Sequence, residues 1–456
     1  MRRVVKVSRI RIIITIIVVV LTTLLTGCTG KEPNEIAYVV ALGIDSTDDD
    51  NYKITIQYAN TTQISGGASE SGGKAGSEIV DNVTIEAPNI YAGVGLANNI
   101  VSKSFSMSHA KLIVFSKEIA EKGVKDMIET LVRSEEIRPD VFIAVANTTA
   151  NDYLTSVNPE MEVNPAQYYQ LIYQKNQLVG IPDGQLREFF TGLYTDNYDS
   201  ILPVAGVIEG SGGNSQNDDK GQSKDGQNEG SEGSSESLDS FESKSSNEKD
   251  ENEKEKDAEK NTSKYEYDIK NYVGGETAIE KKNKAEAIGA AVFEKDKMVG
   301  ELGEVETEIC KILKGDYTYS YLTYYNNDTP DIPITVKTTQ QKKPKYKIDT
   351  DKKTVDIELY IESDLYSLPA DYNVENKIED FERDVANYTS SACTEFINNF
   401  TKKYNSDILK LNEKIKYKFL TNNQYNWFKK NVGWSEYKFS VCTNFKVRRT
   451  GLIVRE

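Results

Sequence analysis

Histidine is all but missing from this chain: His109 is the only one in 456 residues. A nucleophile–His–acid triad needs partners gathered around an imidazole, and a metal centre usually draws on several His or Cys ligands. Ser106 and Ser108 stand close by in sequence, yet neither lies in the glycine pattern of a nucleophile elbow. A lone histidine at the start of a strand is expected to be structural and bonded to backbone. Cysteine is nearly as scarce. Beyond Cys28, only Cys310, Cys393 and Cys442 remain, too few to staple so long a chain. They leave at most one disulfide, and free half-buried thiols are the plainer expectation. Positive charge is in deficit too, with 55 Lys and Arg against 71 Asp and Glu and a formal net charge of −16. That balance argues against nucleic acid as a partner and against a peripheral role that relies on anionic lipid.

What remains for chemistry is thin. The turn Asp48-Asp49-Asp50-Asn51 lacks the ligand spacing and closing Glu of a calcium loop and reads as a solvated turn. Gly72-Gly73-Lys74 has Ala68 where a phosphate loop needs its first glycine, and Ala75 where it needs a hydroxyl. Gly93-Val94-Gly95 falls inside a helical stretch, whereas a dinucleotide fingerprint sits between strand and helix. The 27 tyrosines, with Trp427 and Trp434, are accounted for as amphipathic residues at sheet surfaces. Carboxylates abound, but spacing alone nominates no acid–base pair. The sequence is read as a non-enzyme, without cofactor or metal.

One long apolar run is present, at the start. Arg2, Arg3, Lys6, Arg9 and Arg11 precede the stretch 12–25, about 14 residues and short of the roughly 20 that span a bilayer as a helix. It ends Leu25-Thr26-Gly27-Cys28. A charged start, a short apolar core and small residues before a cysteine describe a signal segment that resembles a bacterial lipobox. Residues 1–27 are then removed and the Cys28 thiol receives a diacylglyceryl group. Losing that segment, with its five basic residues and no acid, takes the charge from −16 to −21. No second apolar stretch of spanning length follows. Lipid on Cys28 is the expected attachment, on the outer face of a membrane.

The rest alternates strand and helix patterns. An apolar run at 36–45, an acidic turn, and Tyr52, Ile54, Ile56 and Tyr58 at period two read as a hairpin. Ile90, Val94, Ala97 and Val101 share a helical face, and Ala120, Val124, Ile128 and Leu131 form a second stripe. Strands are expected at 111–115, 141–146 and 201–208. Asn164-Pro165 should cap a helix that turns Tyr168, Leu171 and Ile172 inward, with another helix at 186–193. Residues 209–263 hold 16 acids and seven lysines but only Leu238 and Phe241 as large apolar residues, and are expected to be disordered. Beyond them come a hairpin at 287–302 and a helix through Val305, Ile309, Ile312 and Leu313 that Gly315 stops. A half-buried strand follows at Val355, Ile357, Leu359 and Ile361. One long helix steps from Val374 to Phe400, and a last strand carries Phe439, Val441, Thr443, Phe445 and Val447 on one face. The expected fold is α+β: mixed sheets with hairpins, helices packed on one side, two or three subdomains. The expected segments are 1–27, 28–208, a linker at 209–264, and a second domain at 265–456.

A resemblance rests on several short stretches taken in order. They are Cys28, Glu35-Ile36-Ala37, Gly43-Ile44-Asp45, Thr84-Ile85-Glu86-Ala87, Ser108-His109-Ala110-Lys111 and Ala120-Glu121-Lys122-Gly123. In the second half they are Ala290-Ala291-Val292-Phe293, Lys297-Met298-Val299-Gly300, Ser406-Asp407-Ile408 and Arg448-Arg449-Thr450-Gly451. Together these resemble the Ger(x)C family, lipoprotein C subunits of spore nutrient-germinant receptors. The sequence departs from the pattern at Thr29, where a tryptophan often stands, and at Leu409-Lys410-Leu411, where a glycine-rich stretch is expected. The resemblance implies three α/β subdomains and a non-enzymatic role. It also implies two integral membrane partner subunits, of the A and B types, in the inner spore membrane. Only Cys28 takes a family role, that of lipid acceptor. The competing reading is a lipid-anchored solute-binding protein of a transporter. Such proteins are usually built on parallel sheets, whereas here each region opens with a hairpin.

Overall fold

The unbroken apolar run at 36–45 becomes β1 (Ile36–Ser46), and its lack of alternation has a plain cause. Val39, Val40, Ala41, Leu42 and Ile44 are all buried, so both faces of the strand are covered. The computed structural model describes residues 13–18, 35–49, 51–59, 80–159, 162, 165–174, 180–195, 197–208, 271–277, 283–325, 333–368, 377–404 and 406–450. All elements below belong to one unit, residues 1–209 with 271–456. Cys28, Asn164, the stretch 209–264 and Val374 lie outside the described residues. Of the apolar run at the start, 13–18 is described and helical; no helix among the described residues is long and apolar enough to cross a membrane.

The first sheet has nine strands: β1, β2 (Tyr52–Ala59), β3 (Val80–Ala87), β4 (Ser104–Ser106), β5 (Leu112–Ser116), β6 (Phe142–Ala146), β7 (Ile201–Val207), β8 (Ala285–Glu294) and β9 (Lys297–Leu302). Their order is β3-β2-β1-β5-β6-β7-β8-β9, with β4 beside β1. β1, β5, β6 and β7 run parallel, with antiparallel pairs at both ends. The hairpin expected to open the second region thus completes the first sheet, through Ile201 against Val292. A long polar interruption between partner strands hides such a pairing from any local pattern.

Helices cover both faces of this sheet, a correction to the expected one-sided packing that follows from strands apolar on both sides. α1 (Ile90–Ala97), α2 (Lys117–Lys122), α3 (Lys125–Val132) and α6 (Leu186–Thr195) pack Ile90, Ile119, Ile128 and Phe189 against Ile44, Ile54 and Phe115. α4 (Ala150–Ser156) and α5 (Pro165–Gln174) pack Tyr153, Leu154, Tyr169 and Tyr173 against Val40, Leu112 and Val114. The single stripe expected from Ala120 to Leu131 is two helices. Gly123, at φ 122°, breaks it, and the Val124 N–H donates to Asp296 O at 3.0 Å instead of continuing the turn.

The second sheet is β10 (Tyr319–Tyr325), β11 (Pro333–Thr339), β13 (Thr354–Ser367) and β12 (Lys345–Asp349), with β14 (Lys438–Arg449) parallel to β13. Here alternation reads true: Val355, Ile357, Leu359 and Ile361 are buried beneath α7 (Glu304–Lys314) and α8 (Ile378–Lys403). α8 is 26 residues, about 39 Å at 1.5 Å per residue. It also covers an open edge. Asn398 Oδ1, Thr394 Oγ1, Ser390 Oγ and Glu382 Oε1 accept from the N–H groups of Phe439, Val441, Thr443 and Val447 at 2.8–3.1 Å. Four helical residues rise about 6.0 Å and two strand residues about 6.6 Å, so an i, i+4 polar row matches every second N–H of β14. That protects an edge otherwise free to pair with another chain. The short helices α9 (Leu411–Ile415) and α10 (Asn422–Asn431) complete the fold.

Candidate functional site at the joint between the sheets

Two of the quoted stretches of the second half, Ala290–Phe293 and Ser406–Ile408, meet the entry to β7. Asp199 precedes β7, Lys295 sits in the β8–β9 turn at φ 58°, and Asp407 follows α8. Asp199 Oδ1 accepts from Lys295 N at 3.0 Å and Oδ2 from Asp407 N at 2.8 Å, while the Asp199 N–H donates to Asp407 O at 3.2 Å. Asp407 Oδ1 and Oδ2 accept from Leu411 N and Asn412 N, both at 2.8 Å, and so cap α9. Ser406 Oγ donates to Phe293 O at 3.1 Å, and Phe293 N donates to Ser200 O at 3.1 Å. Three segments far apart in sequence are thereby fastened at one point.

Burial sets the electrostatics. It pushes the Asp407 carboxyl up to about 7 against the pull of the Asn412 and Leu411 N–H groups, and the Asp199 charge adds to the rise. Asp199 is raised by burial as well, and Lys414 is lowered by it. Burial also works to raise Glu188, but the Lys410 ammonium at 3.1 Å outweighs it and leaves that carboxyl below its ordinary range. Lys410 Nζ lies 4.1 Å from the Tyr198 ring centroid as well. Two open clefts flank the joint. One, about 410 Å³, is lined by Asp183, Glu188, Tyr198, Lys314 and Lys410; the other, about 580 Å³, by Lys295, Asp407, Asn412, Lys429 and Trp434. The carboxylates here are held by backbone donors or by lysines, an arrangement suited to fastening elements together.

The sequence candidates fall elsewhere. His109 is exposed in the turn before β5, its ring edge-on to Tyr38 at 4.9 Å, a ring contact where a backbone bond was expected. Ser106 and Ser108 are bonded to each other at 2.9 Å. Cys310 and Cys393 are buried free thiols, pushed up by burial to about 11 and about 12, and Cys442 is free and exposed. Among the described residues no group of three or more His, Cys, Asp or Glu is placed to hold a metal ion. Asp45 serves as a cap, accepting from Ala150 N at 2.6 Å and Asn151 N at 3.1 Å. Sequence reasoning missed the Asp199–Asp407 pair, which spans 208 residues; the quoted Ser406-Asp407-Ile408 was its one signal.

Fold and site together define an α+β protein whose marked residues build a joint. Residues 30–207 match the family described as "Spore germination protein N-terminal domain", and residues 288–451 match "Spore germination B3/ GerAC like, C-terminal". The chain therefore belongs to the Ger(x)C family of spore germination proteins. It is similar to spore germination protein KC of Bacillus subtilis (strain 168), 26% identical over 174 residues, 35% of this chain and 42% of the relative. Spore germination protein B3 of the same organism is 26% identical over 148 residues, 30% of this chain and 36% of the relative. The matched stretches thus span less than half the length of these relatives. A solved structure, that of the GerBC protein, aligns over 89% of this chain and 96% of its own, with a TM-score of 0.47 and 15% identity.

Proposed function

We propose that this chain is the lipid-anchored C subunit of a spore germinant receptor, needed for nutrient-triggered germination. In this reading it is held through Cys28 on the outer face of the inner spore membrane beside two integral membrane subunits of the A and B types. The observation that carries it is the match of both halves, 30–207 and 288–451, to germination-protein families in the expected order. A lipid-held subunit acts on membrane partners by binding their conformations unequally, so it biases a response without a chemical step. A solute-binding protein of a transporter is favoured less. The centre of the first sheet is parallel, as in such proteins, and what supports the receptor reading over it is the pair of family matches.

Stable anchoring needs more than one acyl chain, at about 0.8 kcal/mol per buried CH₂. Cys28→Ala is therefore expected to abolish lipid labelling and leave unprocessed precursor, or protein lost from the membrane fraction. Mature, lipid-labelled protein from that variant would exclude Cys28 as the acceptor. The assembly is tested by purifying the tagged chain from spore membranes. Two multi-pass proteins should come with it, whereas an ATPase and a permease would favour the transporter reading.

A further inference from the structure

Apolar side chains around α10 stand in water: Leu420 is 95% exposed, Tyr417 80% and Trp427 64%. Leu420 precedes the N-cap Thr421, a place where an apolar residue commonly staples onto the fourth helical residue, here Tyr425. Phe419 meets that ring instead, at 5.7 Å, and leaves Leu420 outside. The same stretch carries Lys416, Lys418, Lys429 and Lys430, and from Lys414 to Ser435 it contains no acid. None of these four lysines forms an ion pair among the described residues. On a chain of net charge −16 this is a local reversal of sign, hidden in the whole-chain balance that argues against anionic lipid.

The place of this patch in the fold matters as much. β1, β5, β6 and β7 are parallel, so their first residues share one edge of the sheet. Ile36, eight residues after Cys28, starts β1 at that edge. Residues 197–200 enter β7 there, and α10 is bonded to them and to the end of α6: Tyr425 Oη donates to Asn197 Oδ1 at 3.0 Å and Lys429 Nζ to Thr195 O at 3.4 Å. Ile100, 70% exposed, leads into β4, which runs parallel to the first residues of β1. Eight residues reach at most about 28 Å, so a lipid on Cys28 keeps this end of β1 within about that distance of the bilayer.

The geometry points to a docking surface for an anionic phospholipid bilayer, with Trp427, Tyr417 and Leu420 at headgroup level and the lysines at the phosphates. The orientation rests on the anchor reading above; the exposure and the charge do not. The chain supplies its own probe, because Trp434, the other of its two tryptophans, is buried. The full chain is reconstituted in vesicles with brominated acyl chains, either phosphatidylcholine alone or mixed with phosphatidylglycerol. Quenching and a blue shift of Trp427 emission are expected only with phosphatidylglycerol, and should be absent in Trp427→Phe. Changing Lys416, Lys418, Lys429 and Lys430 to Gln should weaken the quenching at least about tenfold. Water-like, unquenched Trp427 emission in anionic vesicles overturns the proposal. Shielding of Trp427 only when co-purified membrane proteins are present overturns it in favour of a protein partner. Because emission is read at Trp427 in chains already on the vesicle, a negative result with lipidated Cys28 leaves the anchor reading standing.

Discussion

Gly206→Ala is expected to lower the melting temperature by about 4 °C or more, or to prevent folding altogether. Residues 271–277 cross β7 at this point, backbone against backbone. A Cβ on Gly206 would lie 2.0 Å from Gly274 C, 2.1 Å from Gly275 N and 2.3 Å from Gly274 O. No side chain is there to rotate away, so the crossing segment itself has to move. That segment is fastened by Gly274 N to Ile288 O at 2.9 Å, by Asn147 Nδ2 to Gly274 O at 3.0 Å, and by Glu286, which accepts from Gly275 N and Thr277. Overpacking against yielding side chains costs about 1–3 kcal/mol, and against fixed backbone more. At roughly 1 °C per kcal/mol for a chain of this size, from about 2.1 cal/mol/K of unfolding entropy per residue, a cost above about 3 kcal/mol shifts melting by several degrees. Gly95→Ala is the matched control. It sits within α1 with nothing inside 4 Å of its Cβ, and alanine there should stabilise by about 0.5–1 kcal/mol. Equal melting of Gly206→Ala and the unmodified chain would show that the crossing is not as described.

Asp407→Ala should cost about 2–4 kcal/mol in thermal unfolding. It removes the acceptors of two N–H groups at the start of α9, one of them buried, and frees α9 while the backbone links of residue 407 to Asp199 remain. The same residue gives stability a pH dependence whose sign is set by burial. With its folded value raised from 3.8 to about 7, the native state keeps a proton that the unfolded chain has already released. Stability from this group is therefore fully present below pH 3.8 and is lost as pH rises to about 7. Glu308, pushed up to about 7 by burial, works in the same direction. Lys311 acts oppositely and higher. Burial lowers it from 10.5 to about 8, so its unfavourable contribution fades as pH climbs between those values. The chain should melt higher at pH 5 than at pH 7.5, and Asp407→Asn should flatten that slope while keeping one of the two caps. A slope unchanged in Asp407→Asn would assign the pH dependence to other groups.

Periodic elements were legible. The β1–β2 hairpin lies where its apolar run and polar turn put it, β13 and β14 follow their alternation, and α8 follows its apolar stripe through Phe381, Val385, Phe396 and Phe400. What escaped was non-local. The polar row Glu382, Ser390, Thr394 and Asn398 reads as a solvated helix face until β14 is placed beside it. The joint was illegible for the same reason: Asp199 and Asp407 are 208 residues apart, and Lys410 at φ 56° separates Asp407 from the helix it caps. Asp407 therefore fits no simple N-cap pattern. The β7–β8 pairing is hidden behind the acidic stretch, so two regions separate in sequence share one sheet.

The role proposed above, a receptor subunit needed for nutrient-triggered germination, is tested most directly by release of spore contents on nutrient addition, with the gene present, deleted, and restored. Deletion spores should fail to respond to one class of small nutrients, recover on complementation, and still germinate with triggers that bypass nutrient receptors. A normal response to every nutrient in the deletion strain, with no related C subunit to substitute, would contradict the account.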